Sequence, residues 1–259
     1  MRDFHEQMEA RKYLHRGDQL FCHRDYEGAL REYQKILSMA TGKPEEAEAL
    51  LGMALIYAHF GYPKRDYEKS LHFFVAILND YPESPLVQQA KIWIGVLQEH
   101  ERLGKMIERS KQTAKVPNTV VPDRIVPDKV PKPEAKAETL GPAREHLLRG
   151  RRLLAQGDYE SALDENQKVL SMSPHRRPED EALFNMGLIY AHSGNPRKDL
   201  GKSLDFFNKL IKDYPKSPLA EQAKVWIELL KENEELNRVI QKLKQVDIEV
   251  EEKKRETAK

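Results

Sequence analysis

Apolar residues recur at steps of three and four along most of the chain, which is the spacing of one face of an α-helix. Leu50, Met53 and Tyr57 form one such stripe. Three further stripes have the same spacing: Leu86, Ala90, Trp93 and Leu97; Leu183, Met186 and Tyr190; and Leu219, Ala223, Trp226 and Leu230. Because no segment shows the alternation typical of a strand, the pattern predicts an all-α fold.

The stripes repeat because a long segment of the chain occurs twice. Residues 24–103 align with residues 157–236 without a gap, at a constant offset of 133 positions and with 44 identities in 80. Such a dense internal repeat predicts two copies of one helical unit, copy 1 and copy 2. Residues that align at this offset are counterparts of each other.

Proline and serine mark where the helices begin and end. Tyr81-Pro82 predicts a helix end, because a proline disfavours helical geometry at the residue before it. Ser84 is a favourable N-cap and Pro85 a favourable first helical residue, and copy 2 repeats this signal. The predicted helices are 8–22, 26–40, 45–60, 68–80 and 85–110 in copy 1, and 143–156, 159–172, 179–193, 201–213 and 218–255 in copy 2.

Residues 150–174 of copy 2 resemble a tetratricopeptide repeat. The family pattern has small residues where paired helices cross and a proline at the end of the unit. The matching residues are Gly150, Gly157, Ala162 and Pro174 in this unit, and Gly187, Tyr190, Gly194, Phe207 and Pro215 in the next. The second unit departs from the pattern by about four extra residues around PRKDLGK and by Ser203 in place of alanine.

Copy 1 follows the family pattern less closely. It keeps Gly17, Ala29 and Tyr33 but has Arg24 and Thr41 where glycine and proline are expected. The resemblance implies two α-solenoid modules of about five helices each, because a helical pair exposes an apolar stripe that only a neighbouring pair can cover. The fifth helix of each copy is expected to cap its stack.

A narrower resemblance concerns the phrase YPxSPxxxQAKxWI, which occurs in both copies. It is similar to repeat proteins of the bacterial cell envelope, including lipoproteins that accompany outer-membrane assembly or sensor-kinase systems. The resemblance implies a component of such an envelope or sensor system. No leader or lipid-attachment motif is visible, so a cytoplasmic location is expected from the sequence as it stands, or a periplasmic or envelope location if a leader has been removed.

The copies and the segments around them predict four parts: module 1 at 1–112, a linker at 113–142, module 2 at 143–236 and a helical extension at 237–259. Proline at nearly every fifth position of the linker opposes helix and favours an extended, polyproline-like chain. The linker is therefore expected to act as a semi-rigid spacer. The alternative is that it serves as a docking motif for another domain.

The C-terminal extension continues a seven-residue repeat of apolar positions. This pattern is typical of a short self-associating coiled coil, but a charged and solvated capping helix also explains it. Under the first interpretation the homodimer is weak, because Asp247 occupies a seam position and lowers its stability. The oligomerisation candidates are Leu229, Leu236, Ile240, Leu243 and Val250.

Composition limits the class of function. The 43 Lys and Arg against 42 Asp and Glu leave a net charge of +1, whereas dedicated nucleic-acid binders usually have a basic excess, so no nucleic-acid partner is expected. No window approaches the roughly 20 apolar residues of a membrane span. The single cysteine, Cys22, excludes an intramolecular disulfide.

Motifs for catalysis or ligand chemistry are absent from the sequence. It contains no phosphate-binding glycine loop, no paired-histidine zinc motif and no glycine-flanked nucleophilic serine. Only His59 and His192 are counterparts among the nine histidines, and a packing or capping role is expected for both. The chain is therefore predicted not to be an enzyme and to need no cofactor or metal.

The resemblance implies that the inner groove, lined by the first helix of each pair, receives a peptide or a helix of a partner protein. Asp18 in copy 1 is the counterpart of Arg151 in copy 2, so the two copies are predicted to bind one ligand unequally. The predicted function is a non-enzymatic scaffold or adaptor, and the alternative is a structural, self-assembling protein that dimerises through its C-terminal helix. The partner-binding candidates are Arg11, Asp18, Leu51, Leu55, His59 and Lys91 in copy 1, and Arg144, Arg151, Phe184, Leu188, His192 and Lys224 in copy 2.

Overall fold

Ten α-helices and no strand make up the described part of the chain, which confirms the all-α prediction. The computed structural model describes residues 2–39, 44–113, 141–172 and 178–257, with side chains described at 5–39, 44–110, 141–172 and 178–250. Nearly all of the predicted linker, with Thr41 and Pro174, lies outside the described residues. The helices of copy 1 are α1 (Arg2–Cys22), α2 (Tyr26–Met39), α3 (Pro44–Ala58), α4 (Tyr67–Asp80) and α5 (Val87–Thr113). Those of copy 2 are α6 (Pro142–Ala155), α7 (Tyr159–Met172), α8 (Glu179–Ala191), α9 (Leu200–Asp213) and α10 (Pro218–Thr257).

The turn between α4 and α5 follows the serine and proline signals of the sequence. Tyr81 leaves helical geometry, with φ −131° and ψ 55°, directly after α4. Ser84 Oγ then accepts the Leu86 N–H at 3.2 Å. This bond supplies an acceptor to one of the N–H groups at the start of a helix, which have no partner within the helix itself. The helix α5 begins two residues later than predicted, whereas α10 begins at Pro218 as predicted.

Arg24 adopts the backbone conformation that the resembled family gives to glycine. Its φ is +62°, and that of its counterpart Gly157 is +78°. A left-handed backbone costs a residue with a side chain about 1–2 kcal/mol. The turn between the first two helices therefore has the same conformation in both copies, but only copy 1 bears this cost.

The chain divides into two compact units. The first contains Met1–Leu97 and Thr139–Leu230, and the second contains Gln98–Glu138 and Lys231–Lys259. The larger core of buried apolar side chains in the first unit takes residues from both copies, and a smaller cluster of Leu147, Val169 and Ala182 belongs to copy 2 alone. The module boundaries given by the repeats in the sequence stay a prediction.

Four stacked aromatic rings join copy 1 to copy 2 within the first unit. Trp93 of α5 stacks on Trp226 of α10 with ring centroids 3.8 Å apart. Phe74 stacks on Trp93 at 5.3 Å, and Phe207 stacks on Trp226 at 5.9 Å. All four side chains are fully buried. Since Trp226 is the counterpart of Trp93, and Phe207 of Phe74, this aromatic stack brings counterparts together.

Polar contacts between the copies flank the aromatic stack. Gln89 Nε2 donates to Oε1 of its counterpart Gln222 at 2.9 Å. His59, which is fully buried at the end of α3, places Nε2 3.2 Å from Oε1 of Glu221 in α10. The prediction that the fifth helices cap their stacks was therefore wrong for the first turns of α5 and α10, because these turns hold the two copies together.

Replacing Glu221 by glutamine is expected to lower the free energy of unfolding at neutral pH by about 1 kcal/mol, because the bonds to its charged form are lost. Burial raises the Glu221 pKa, but hydrogen bonds from His59 and Lys224 outweigh it and leave the pKa below its ordinary value of 4.5. A lowered pKa stabilises the fold above pH 4.5, and this contribution is lost as the pH falls through the folded-state pKa. Denaturation curves of the two proteins should therefore converge on acidification.

The control for this prediction is Glu160→Gln. Glu160 pairs with Arg197 at 2.8 Å, but both side chains are about two-thirds exposed, at 67% and 69%. An exposed pair contributes little, about 0–1 kcal/mol. A gap between Glu221→Gln and the unsubstituted chain that stays constant down to acidic pH would contradict the role given to Glu221.

The second unit contains a contact between the last part of α5 and α10. Leu103 and Ile107 are buried together with Ile240, and Leu236 and Leu243 pack against the same cluster. Leu236 and Ile240 are the counterparts of Leu103 and Ile107. Counterparts therefore pack together in this unit also.

The predicted oligomerisation residues of α10 mostly contact this chain itself. Leu229 is buried in the core of the first unit, and three others pack with α5 in the second unit. Val250 is exposed, as are Val246 and Ile248. A homodimer through α10 stays a prediction, and these three side chains are the apolar surface that it would use.

Candidate functional site

A pocket of about 480 Å³ lies between α1 and the first turn of α3 in copy 1. Its volume falls within the roughly 300–1,000 Å³ typical of ligand pockets. The α1 residues that line it recur at steps of three and four, so they share one face of the helix. Arg11 and Asp18, both predicted groove residues, come together here. The lining of this acidic pocket is Gln7, Arg11, Leu14, His15 and Asp18 from α1, and Pro44, Glu45 and Glu48 from α3.

A tyrosine from α2 orients the carboxylate of Asp18. The Tyr33 hydroxyl donates to Asp18 Oδ1 at 2.8 Å. Asp18 is exposed, but the protein packed around its carboxylate removes part of its hydration and raises its pKa, while the hydrogen bond from Tyr33 and the nearby His15 oppose that rise. Burial and the charge of Asp18 also hold the pKa of Tyr33 far above its ordinary value, so the hydroxyl remains a donor.

The Tyr33 ring reaches Asp18 by passing between two glycines. A Cβ on Gly17 would lie 2.5 Å from Tyr33 Cε1, and a Cβ on Gly52 would lie 2.5 Å from Tyr33 Cζ. Carbon atoms in packed interiors stay about 3.5–4.0 Å apart. Glycine at both positions is therefore what admits the ring, which is fully buried.

Two glutamates at the start of α3 supply the opposite wall of the acidic pocket. Glu45 Oε1 accepts Arg11 Nε at 2.9 Å and Gln7 Nε2 at 3.3 Å. Burial raises the Glu45 pKa, but the hydrogen bonds from Arg11, from its own backbone N–H and from Gln7 outweigh it, and the pKa lies below its ordinary value. Glu48 is exposed, but partial loss of hydration and then the charges of Asp18 and Glu45 raise its pKa. The pocket thus holds three carboxyl groups against one guanidinium.

The corresponding face of copy 2, on α6 and α8, has a different charge. Arg144 and Arg151, both predicted groove residues, are exposed on α6. Arg151 Nη2 donates to Glu181 Oε2 at 2.8 Å. Pro178 stands where copy 1 has the first glutamate of its pocket. The face therefore carries two guanidinium groups against one carboxylate.

The charge reversal between Asp18 and Arg151 accompanies a change in the helix behind them. Copy 2 has Asn166 where copy 1 has Tyr33. Asn166 Oδ1 accepts from Asn185 Nδ2 at 3.2 Å, and both residues are buried. With no phenol behind it, position 151 carries a side chain that pairs across the groove instead.

Burial separates the twelve predicted groove residues into three groups. Helical register predicts which residues share a face, but it does not predict whether that face is open. Partner binding by these residues stays a prediction. The predicted groove residues that are buried in the first unit are Leu51, Leu55, His59, Phe184 and Leu188. The half-buried residues are Lys91, His192 and Lys224, and the exposed ones are Arg11, Asp18, Arg144 and Arg151.

His59 and His192 each cap the end of a helix, as predicted. The Nδ1 atom of each ring accepts a backbone N–H at 2.9 Å, from Gly61 in copy 1 and Gly194 in copy 2. A tyrosine hydroxyl lies 3.1 Å from that nitrogen in copy 1 and 3.3 Å in copy 2. Burial, followed by the charges of nearby lysines, lowers the pKa of His192, which favours its neutral form.

The acidic wall on α3 was missed by the sequence analysis. Glu45 lies in the first turn of that helix, where acidic residues are commonly explained by the helix dipole alone, and Glu48 follows it by three residues. A signal was available, because Gln7, Arg11 and Asp18 share one face of α1. Taken together with Asp18, the two glutamates Glu45 and Glu48 of α3 would have indicated an acidic pocket against this face.

The described part of the chain presents neither a metal site nor a membrane span. No group of three or more His, Cys, Asp and Glu side chains there is placed to hold a metal ion. None of the helices described combines the length and the apolar character that crossing a bilayer requires. Cys22 is a free, exposed thiol.

The tetratricopeptide repeat family model matches residues 14–85 and 147–218, which together make up more than half of the chain. The chain belongs to the tetratricopeptide repeat family. The matched regions begin 133 residues apart, so the duplication predicted from the sequence is confirmed. Tetratricopeptide repeat proteins are typically non-enzymatic, and a general role in protein interaction follows for this chain.

Two solved structures are similar to this tetratricopeptide repeat chain at low scores. The crystal structure of MamA protein is 18% identical with a TM-score of 0.30, over 80% of this chain and 93% of that one. The MamA RS-1 ArsTM double mutant is 16% identical with a TM-score of 0.28, over 92% and 96%. Scores this low carry no functional information. No curated protein matches the sequence.

Proposed function

We propose that this chain is a non-enzymatic scaffold whose two copies bind unlike segments of partner proteins. The α1/α3 face of copy 1 takes a basic segment, and the α6/α8 face of copy 2 takes an acidic one. The observation that carries the proposal is the opposite balance of charge on these two faces. Complementary charge selects partners and rejects those of the wrong sign more than it raises affinity.

Several contacts support the proposal by making the charges permanent features of each face. Tyr33 holds the Asp18 carboxylate in place from behind. In copy 2, the ion pair between Arg151 and Glu181 leaves Arg144 as the excess charge. Because the copies share one core, the two faces are presented by a single compact unit. Two partners bound there would be held close to each other.

Binding of two model peptides to the full chain tests this proposal. The peptides have one length and one set of alternating leucines and alanines, and carry either arginines or glutamates at the remaining positions. Glu48→Lys is expected to weaken binding of the arginine peptide by about tenfold, which corresponds to about 1.4 kcal/mol. Fluorescence anisotropy with labelled peptides measures both affinities.

The duplication provides matched controls for this experiment. Glu181 is the counterpart of Glu48, so Glu181→Lys should leave the affinity for the arginine peptide unchanged. Arg144→Glu should weaken binding of the glutamate peptide only. If each substitution weakened both peptides to the same degree, selection by charge on separate faces would be refuted.

Self-assembly is the second candidate function, and the exposed apolar side chains of α10 favour it. Val246, Ile248 and Val250 are 55%, 51% and 45% exposed. Replacing all three with glutamine should abolish any concentration-dependent increase in mass, measured by light scattering, without touching the cluster between α5 and α10. An unchanged mass at every concentration in both proteins would rule this candidate out.

A further inference from the structure

The surface that joins the two copies is the same patch on each of them. Trp93 stacks on its counterpart Trp226 with ring centroids 3.8 Å apart, and Gln89 donates to its counterpart Gln222 at 2.9 Å. A contact in which residues meet their own counterparts is of the isologous kind that joins identical subunits in two-fold dimers. Such a surface can be completed by any second copy, whether that copy belongs to the same chain or to another.

The contact between the copies leaves two buried donors without an acceptor. Trp93 and Trp226 are fully buried, and neither indole Nε1–H meets an acceptor in the part of the chain that the structure describes. A buried donor without a partner carries a desolvation cost that contact with water removes. Because separation of the copies hydrates both indoles, the contact opens more readily than its buried aromatic area alone would indicate.

One close approach makes a pair of two copies 2 unfavourable. Gly95 of copy 1 lies against Ser193 of copy 2, and an added Cβ on this glycine would be 3.2 Å from Ser193 Oγ. The counterpart of Gly95 is Glu228. A pair of two copies 2 would therefore place a glutamate side chain against the serine, where copy 1 has only a hydrogen atom.

A buried histidine makes a pair of two copies 1 unfavourable in turn. His59 is fully buried, and its Nε2 lies 3.2 Å from Oε1 of Glu221 in copy 2. The counterpart of Glu221 in copy 1 is Gln88. Two copies 1 would thus place a neutral amide opposite the histidine, and a hydrogen bond to a charged group is the stronger one. The disfavoured alternatives make the surface specific for unlike copies.

We propose that this surface also joins separate chains, by pairing copy 1 of one chain with copy 2 of another. The partner is therefore a second molecule of this protein. The inference does not rest on the proposed function, because the surface is distinct from the α1/α3 and α6/α8 faces. Two chains that exchange halves in both directions form a closed dimer with two such contacts, which is a domain swap. The dimer uses the contacts of the single chain and needs no new surface.

Protein concentration decides between the single chain and the exchanged dimer. The predicted linker tethers the two copies of one chain, and a short flexible tether gives an effective concentration of about millimolar order. Copies on separate chains compete with this in proportion to their own concentration. A tenfold higher concentration during refolding should therefore raise the share of exchanged dimer about tenfold while that share is small.

Two full-length chains with one cysteine each test this inference. Both carry Cys22→Ser, and one adds Gln89→Cys while the other adds Gln222→Cys. The chains are unfolded, mixed, refolded together and treated with a short bismaleimide, and linked chains are measured on a denaturing gel. The two introduced cysteines meet only where copy 1 of one chain pairs with copy 2 of the other. We therefore expect linked dimer from the mixture, in an amount that increases with the concentration during refolding.

Each of these two chains refolded alone is the matched control, because pairing of unlike copies brings no second cysteine to the first. It should link no more than the background given by Val75→Cys mixed with Asn208→Cys, which are exposed counterparts on α4 and α9. A mixture that stays at this background at every concentration would overturn the inference. Equal linkage in a chain refolded alone would also overturn it, since like copies would then be pairing.

Two further measurements complete the test. Circular dichroism shows that each variant is folded, and light scattering of the unsubstituted chain after the same refolding should show the dimer without any cysteine substitution. Monomer alone at every concentration would overturn the exchange. The linked dimer should also persist when Val246, Ile248 and Val250 are replaced by glutamine. Its loss in that variant would assign the association to α10 and overturn the exchange.

Discussion

Replacing Trp93 by alanine is expected to lower the free energy of unfolding by about 3–5 kcal/mol, the typical cost of removing a large aromatic side chain from a packed core. Its ring is fully buried between Phe74 of its own copy and Trp226 of the other. Losing it removes packing within copy 1 and the contact between the copies together. Denaturant unfolding followed by circular dichroism measures the loss. A smaller slope of the transition would show that the copies no longer unfold as one.

Because the aromatic stack is symmetric, the contact between the copies can be tested from either side. Trp226→Ala should have a similar effect, and the double variant should lose clearly less than the sum of the two, because each single change already removes the shared contact. Additive losses would contradict a joint role. Val75→Ala, on the exposed side of α4, should change stability by no more than about 0.5 kcal/mol.

Replacing Gly52 by alanine is expected to lower the free energy of unfolding by about 1–3 kcal/mol, the usual cost of overpacking a core. The new Cβ would lie 2.5 Å from the Tyr33 ring, which is held on its other side by Gly17. Because the ring also orients Asp18, the change should weaken binding at the acidic pocket. Gly104→Ala in α5 is the control, since its Cβ would meet nothing within 4 Å. There the helix should gain about 0.5–1 kcal/mol.

Copy 2 indicates how the stability lost on replacing Gly52 can be recovered. It has asparagine at the counterparts of both Tyr33 and Gly52, and Asn185 Nδ2 donates to Asn166 Oδ1. Gly52→Asn alone should therefore destabilise the chain, and adding Tyr33→Asn should recover part of the loss by removing the clash and supplying the acceptor. A double variant no more stable than Gly52→Asn would show that the two positions are not coupled in this way.

The helices could be predicted from the sequence because their ends are encoded locally. Tyr81-Pro82 ends α4 and Ser217-Pro218 begins α10 through backbone preferences that hold in any tertiary setting. The first helix was the largest error in the helix boundaries. It begins at Arg2, six residues before the predicted start, since its first turns are mostly charged and polar.

The contact between the copies could not be predicted in the same way. An apolar stripe that includes Trp93 indicates that a face must be buried, but it does not specify the surface that buries it. For the same reason, the sequence could not show that part of the predicted groove is buried. Leu51 and Phe184 have the spacing of an inner helical face, and they are buried in the core of the first unit. Arg11 and Asp18 were found because charge on a helical face usually remains at the surface.

The pairing of counterparts has a consequence for how the two halves can differ. Two separate chains of a single copy, joined through the same surface, would carry every substitution twice, once on each side. In the fused chain a substitution occurs once, so one side can change while the other keeps its residue. Glu221 contacts His59 in this way although its counterpart, Gln88, is uncharged. The assembly also needs no minimum protein concentration, because its two halves are made together on one chain.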